Sequence, residues 1–183
     1  MATSMCPRVR NCEVNVFINK GMSLPIGMLP DAVAKAAAMF REAGVDLRIL
    51  KREPHSSGGA CGTPIVIEFE NAHNYTGTAR AMAYARPYQN VGTSVHVFID
   101  RVLSGRDPHF ANTVLAHILV HEITHVLERV ARHSDSGIMK AVWSPADYQQ
   151  MKLHPLPFSP EDINLIHEAT GKRIPAGKGA RLR

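Results

Sequence analysis

Cysteine is scarce in this chain, aromatic residues are few, and long apolar runs are missing; each shortage removes a class of explanation. Three cysteines, Cys6, Cys12 and Cys61, cannot make a disulfide framework. A Cys6–Cys61 or Cys12–Cys61 bridge could tie down the N-terminal arm, and reduced, idle thiols fit the spacing equally well. None stands near the residues that carry chemistry, so no catalytic cysteine is expected. No apolar run approaches the roughly 20 residues a membrane helix needs, so no membrane partner is expected either. Residues Met1 to Arg8 lack the apolar core of a signal peptide. As written the chain is expected to be cytoplasmic, or secreted if a leader has been removed. Aromatics make up 6% of residues and do not interleave with basic ones. The formal net charge is +5, and Lys172, Arg173, Lys178, Arg181 and Arg183 alone supply that much. The pI near 9.3 is thus largely a property of the tail, 172–183, read as basic and flexible, and nucleic acid is not expected as a partner. Gly58-Gly59 is followed by neither Lys-Ser/Thr nor a helix, which excludes a phosphate loop.

What is present is an ordinary globular composition, 45% hydrophobic and 20% charged over 183 residues. That length supports one domain, or two small lobes about a cleft, with a sizeable core. Residues 13–18 alternate polar and apolar and read as a strand. Pro30-Asp31 opens an Ala-rich helix from Ala32 to Ala43, with Gly44 just past its end. Residues 45–50 and 64–69 read as strands, and the strand–helix–strand order favours parallel pairing of the first two. Residues 54–62 form a loop in which His55 is solvated. Residues 79–85, rich in small side chains, read as an edge strand. Residues 94–100 form the last strand, in which His96 faces solvent or a sheet neighbour. The total is an α/β (α+β) fold: a mixed twisted sheet of about five strands, two long helices and a small helical C-terminal part.

The second long helix, expected over about 109–130, carries His121-Glu122-Ile123-Thr124-His125. No Pro or Gly interrupts the run from Ala111 to Ser136. Residues four apart share a helix face, so His121 and His125 can aim two ring nitrogens at one point, as a zinc ion requires. Glu122 sits beside the first of them, where its carboxylate can act as a general base on water at the metal. His117 shares that face, but one straight helix cannot close three histidines around one ion; it is read as a packed or supporting histidine. A third histidine, His133, comes next, and then a turn-forming run, Ser134-Asp135-Ser136-Gly137-Ile138-Met139.

This succession resembles the metzincin clan of zinc metallopeptidases, and the run His133-Ser134 through Gly137-Ile138-Met139 is most similar to its matrixin-like branch. By motif the resemblance covers roughly residues 112–145. It implies one catalytic zinc ion held by His121, His125 and His133, Glu122 as catalytic base, and Met139 as packing in a turn beneath the site. It implies a peptide or protein substrate, hydrolysed by metal-assisted attack of water, with an edge strand pairing to the extended substrate; residues 79–85 are the candidate. The chain departs from the clan pattern H-E-x-x-H-x-x-G-x-x-H. Glu128 stands at the Gly position and Ala131 at the third His position, and His133 lies two residues late. On a continuing helix His133 would lie about 12 Å along the axis from His125. The chain is therefore expected to leave the helix within Glu128–Arg132 and double back. A distant Glu ligand, Glu161 or Glu168, is the more elaborate alternative. Some metzincins carry a Tyr shortly after the turn methionine; residue 141 here is Ala. Cys6-Pro7-Arg8-Val9 lacks the pattern of a cysteine switch.

Beyond the turn, Trp143 is either a wall of the substrate pocket or core. Ser144-Pro145 and Ser159-Pro160 each read as an N-cap with Pro at the first helical position, predicting helices over about 145–152 and 160–170, the second stopped by Gly171. The expected organisation is an N-terminal catalytic subdomain over 1–136, a Met-turn and helical subdomain over 137–171, and the tail, in a monomer. The rival readings are a zinc-binding metzincin-like module without peptidase activity, and a metal-free α/β binding domain in which the motif is fortuitous.

Overall fold

Alternation of apolar side chains builds the framework on which everything else is placed. The computed structural model describes residues 13–19, 21–52, 64–77, 81–86, 93–129 and 131–170. Strand β1 (Glu13–Asn19) is followed by helix α1 (Met28–Glu42), β2 (Asp46–Leu50) and β3 (Ile65–Glu70). A single 3-10 turn, Ala72–Asn74, leads to β4 (Ala83–Arg86) and β5 (Thr93–Phe98). Helices α2 (Ile99–Leu103), α3 (Pro108–Glu128), α4 (Pro145–Leu153) and α5 (Pro160–Ala169) complete the chain. The expectations for Cys6, Cys12 and Cys61, for the 54–62 loop with His55 and Gly58-Gly59, and for Gly171 and the tail concern residues outside those described.

The sheet runs in the order β2-β1-β3-β5-β4. The first three junctions are parallel, and β4 closes one edge antiparallel to β5. The expected parallel pairing of β1 with β2 holds, Val14 opposite Leu47. Val14, Val16, Ile18, Ile65, Ile67, Val95 and Val97 point to one face and are buried. They join Ala36, Met39 and Phe40 of α1 and the apolar residues of α3 in one core. The opposite face carries Glu68, Glu70 and His96. There the His96 ring stacks on Tyr84 with centroids 4.6 Å apart. Its Nδ1 lies 3.5 Å from Glu68 and 3.3 Å from Glu70, so His96 meets sheet neighbours and stays clear of the other histidines.

Several boundaries differ from the sequence reading, each for a local reason. Helix α1 begins at Met28, before Pro30, because Gly27 takes φ 79° at its N-cap and turns the chain into the helix. Pro30 is tolerated there because N–H groups of a first helical turn have no intrahelical acceptor in any case. Within the described residues the edge strand spans only Ala83–Arg86, and residues Ile99 and Asp100, expected to extend β5, instead open α2. The 3-10 turn and α2 have no counterpart in the sequence reading; Asp100 joins them by accepting the N–H of Ala72 at 3.0 Å.

Helix α3 is apolar nearly all round because both sides are covered: the sheet and α1 on one, α4 and α5 on the other. It starts at Pro108, one residue before the expected 109, with the Asp107 side chain accepting the N–H of Phe110 at 3.0 Å. Among the described residues no helix is long and apolar enough to cross a membrane. Helix α3 ends at Glu128 because Arg129 turns left-handed, φ 55° and ψ 24°, while its N–H still bonds to the His125 carbonyl at 3.1 Å. Only a minority of non-glycine residues accept that conformation. The Arg129 side chain is exposed. Arg129→Gly is therefore expected to stabilise the fold by about 0.5–1 kcal/mol, raising Tm by about 1–4 °C. An unchanged or lowered Tm would show that Arg129 carries some other interaction.

Candidate metal centre and cleft

Ending α3 at Glu128 returns His133 to the first two histidines. His121, His125 and His133 each offer a ring nitrogen, and these atoms lie within 4.8 Å of one another. The Nε2 atoms of His121 and His125 are 3.0 Å apart. Two imidazole nitrogens on one tetrahedral zinc ion stand about 3.3 Å apart, so the pair is already close to ligand spacing. The His133 ring centroid lies 5.3 Å from that of His121 and 4.9 Å from that of His125. His121 is buried, His125 half-buried and His133 exposed. This donor set suits a borderline-soft ion such as zinc, and the group could hold one.

The surroundings set the state of each ring. His121 Nδ1 donates to the carbonyl of Ile138 at 2.9 Å, which leaves the Nε2 lone pair facing its partners. Burial pulls the His121 imidazole down to about 4, against the opposing pull of that carbonyl and with help from His125 and His133. Burial and the neighbouring Arg132 guanidinium hold His133 below the usual range as well. Neutral imidazoles at neutral pH are what metal binding needs. Trp143 Nε1 donates to the same Ile138 carbonyl at 3.2 Å, so one backbone oxygen orients both rings.

The turn after His133 is closed by the Ser134 N–H bonding to the Met139 carbonyl at 2.8 Å. It is pinned from outside by the Ile138 N–H bonding to the Pro157 carbonyl at 2.9 Å. Met139 is buried in the core. On either side of His133, Arg132 and Ser134 are tied to Asp162, which is fully buried at the start of α5. Arg132 Nη2 and Ser134 Oγ both donate to Asp162 Oδ1, and Asp162 Oδ2 accepts the Ser159 N–H at 2.8 Å. Both expected Ser-Pro caps are present as full capping boxes, with Asp147 and Asp162 as the reciprocal residues.

Glu122 is buried beside His121, and burial pushes its carboxyl up to about 8 against one opposing bond from the backbone of Ala85 in β4. Next to it opens a cleft of about 740 Å³. Residues 81–85 and 140–143 line it, together with Ile118, His121, Glu122, His125 and His133. Trp143 lines this cleft, which decides between wall and core for it. Ala141 lines it too. His117 is fully used in packing: Nδ1 meets the Thr113 carbonyl at 2.8 Å and Nε2 accepts the Leu156 N–H at 3.1 Å. Glu161 lies 3.6 Å from Arg132 and, like Glu168, is outside the three-histidine group.

Glu128, at the position where the clan pattern has Gly, has a buried carboxylate that accepts no hydrogen bond among the described residues. Its nearest cation is Arg132, Nε 3.9 Å away. Burial first, then Asp162, push its carboxyl up to about 7. Sequence reasoning missed the Ile138 carbonyl, the Ala85 amide and the Asp162 clasp. Backbone groups have no residue signature, and the only hint of the clasp was Asp162 in the capping pattern.

These features define a metzincin-like fold: a mixed five-stranded sheet, a long helix carrying His121 and His125 packed against its edge strand, and a methionine-containing turn after His133. Among solved structures, archaemetzincin from Methanopyrus kandleri is similar to this chain, with TM-score 0.61 and 15% identity, over 92% of this chain and 100% of that one. At that identity the likeness is one of fold. No protein-family model matches the sequence, and no curated protein matches it.

Two predictions rest on this geometry. Gly137 has φ 75°, and a Cβ there would stand 2.2 Å from the Pro157 carbonyl oxygen. Gly137→Ala is expected to cost about 2 kcal/mol or more, read as a lower denaturation midpoint; an unchanged midpoint would show that the turn is not held as described. The second concerns pH. A carboxyl raised on folding favours the fold fully below its unfolded value of 4.5, and that advantage drains as pH climbs towards about 8 for Glu122. His121, lowered on folding, has its full advantage above 6.5 and loses it as pH falls towards about 4. Between pH 6.5 and 8 only raised carboxyls act, Glu128 up to about 7 and Glu122 up to about 8. The metal-free protein is therefore expected to lose stability over that interval, with Glu122 alone acting in its upper half. Glu122→Gln should flatten most of the slope, and an unaltered slope in that variant would refute the assignment.

Proposed function

We propose that this chain is a zinc-dependent metalloendopeptidase with His121, His125 and His133 as metal ligands and Glu122 as general base. The observation that carries the reading is the convergence of three imidazoles beside a buried carboxyl, in a cleft lined by an edge strand. The likeness of fold to archaemetzincin supports it. The run from His133 to Met139 favours the matrixin-like branch within the clan.

A bound zinc ion would supply a Lewis acid that polarises the scissile carbonyl and acidifies water. The chain's own residues do the rest. Helix α3 sets His121 and His125 one turn apart, and the Ile138 carbonyl keeps the His121 Nδ1 proton away from the ligand side. The outer edge of β4 offers backbone donors and acceptors with which an extended peptide can pair, laying the scissile bond across the cleft. Glu122 takes the proton of the attacking water, whose oxygen bonds to the carbonyl carbon. When the carbon–nitrogen bond breaks, Glu122 passes that proton to the leaving amine, so carboxylate is regenerated. The bond to the Ala85 amide holds the carboxyl in place between the two transfers. Met139 packs beneath the site and takes no part in proton transfer.

Zinc content and hydrolysis separate this reading from a metal-binding module without activity. Wild type is expected to retain about one zinc per chain at neutral pH, and His133→Ala to lose most of it, since one of three protein ligands is gone. Glu122→Gln should keep the metal while peptide hydrolysis falls by about 10²–10⁴. Full zinc in His133→Ala would place the third ligand elsewhere. Zinc retained by a wild type that cleaves no peptide would favour the module.

A further inference from the structure

Charge in the cleft is lopsided. Among the described lining residues the cations are Arg101, Arg106 and Lys140, and the only carboxylate is that of the buried Glu122. Lys140 is committed to Asp147, the reciprocal residue of the capping box of α4. Arg101 stacks over Phe98 and Tyr75 and donates to the Ala81 carbonyl.

Arg106 is different. Its Nη1 is fixed by backbone carbonyls at the end of α2: Arg101 at 2.8 Å, Val102 at 3.0 Å and Ser104 at 3.3 Å. Its guanidinium carbon lies 5.5 Å from the centre of the Tyr148 ring, which holds the guanidinium plane. Among the described residues Nη2 has a single weak partner, the thioether sulfur of Met82 at 3.8 Å. No carboxylate pairs with Arg106 among the described residues. It is half-buried and lines the cleft, in contact with Met82 just before β4 and with the Tyr148 ring. A guanidinium has five N–H donors in a rigid fork that suits a carboxylate, and one already immobilised loses little freedom on binding. Structural use of Nη1 alone would account for an arginine here, but it does not account for a second nitrogen whose only partner among the described residues is a sulfur.

We infer that Arg106 selects peptides carrying a carboxylate side chain beside the scissile bond, so that the cleft is a site for acidic peptides. This rests on the peptidase reading for the meaning of the scissile bond, but the recognition itself is a binding property. It makes Arg106 a specificity-determining residue, with Tyr148 and the carbonyls of α2 as its positioning partners. Lysine at the same peptide position would meet a fixed like charge and be rejected.

The test uses zinc-loaded full chain carrying Glu122→Gln and a set of peptides identical except for Glu, Gln, Leu or Lys at each position flanking the scissile bond in turn. Calorimetry is expected to show the Glu peptide binding about tenfold more tightly than the Gln peptide at one such position, with Lys weakest. Adding Arg106→Gln should erase the difference between Glu and Gln, while Arg106→Lys keeps part of it. Equal binding of Glu and Gln peptides, or a preference that survives Arg106→Gln, overturns the inference. The comparison of peptides on unaltered Arg106 decides even if the variants fold poorly. Hydrolysis of the same peptides by wild type separates the two readings. Cleavage without acidic preference sinks the selection and spares the peptidase; acidic preference in binding without cleavage supports the selection and counts against the peptidase.

Discussion

Everything at the centre depends on where α3 stops and in which direction the chain leaves it. Two imidazoles one turn apart are a property of any helix, but a third needs the backbone to reverse within a few residues. Arg129 performs that reversal at φ 55°, a conformation glycine adopts without strain and arginine does not. Contacts from the C-terminal part of the chain hold the reversal in place. Asp162, at the start of α5, clasps Arg132 and Ser134 on the two sides of His133, and Pro157 pins the turn through the Ile138 amide. The C-terminal helices are therefore part of the site although none of their side chains enters the histidine group.

Burial does the second piece of work. The same cover that makes α3 apolar nearly all round leaves His121 and Glu122 little contact with water, keeping the imidazole unprotonated and the carboxyl hard to ionise. A carboxyl held near neutrality is suited to accepting and returning a proton. The cost is local: buried ionisable groups contribute less to stability than apolar ones of the same size. Glu128 illustrates the cost most plainly, with a buried carboxylate that has no hydrogen bond among the described residues and only Arg132 at 3.9 Å for compensation. The clasp around Arg132 offsets it by bringing the cation close.

Legibility from the sequence followed the range of the interactions involved. The parallel β1–β2 pair, the caps at Ser144 and Ser159, and the shared face of His121 and His125 are set by residues a few positions apart or by the order of neighbouring elements, and all were readable. The start of α1 was misplaced because Pro30 looked like an opening residue while Gly27 did the turning. The short α2 was missed because Ile99 and Asp100 continue the alternation of β5 and nothing local distinguishes the two. Trp143 could not be assigned because wall and core demand the same apolar side chain; its position over the cleft is a matter of how the segment folds back.

By itself the sequence determined the alternation that makes the sheet, the periodicity that makes α3, and the placing of two histidines and a glutamate on one turn. Those arise from backbone geometry repeated over short distances. Only the tertiary structure decided how His133 returns despite its late position, which carbonyl orients His121, and which amide holds Glu122. It also decided that Arg106 and Tyr148, 42 positions apart by their numbers, face the same cleft. These depend on long-range burial and on backbone atoms, which every residue type carries alike and which no sequence pattern therefore marks.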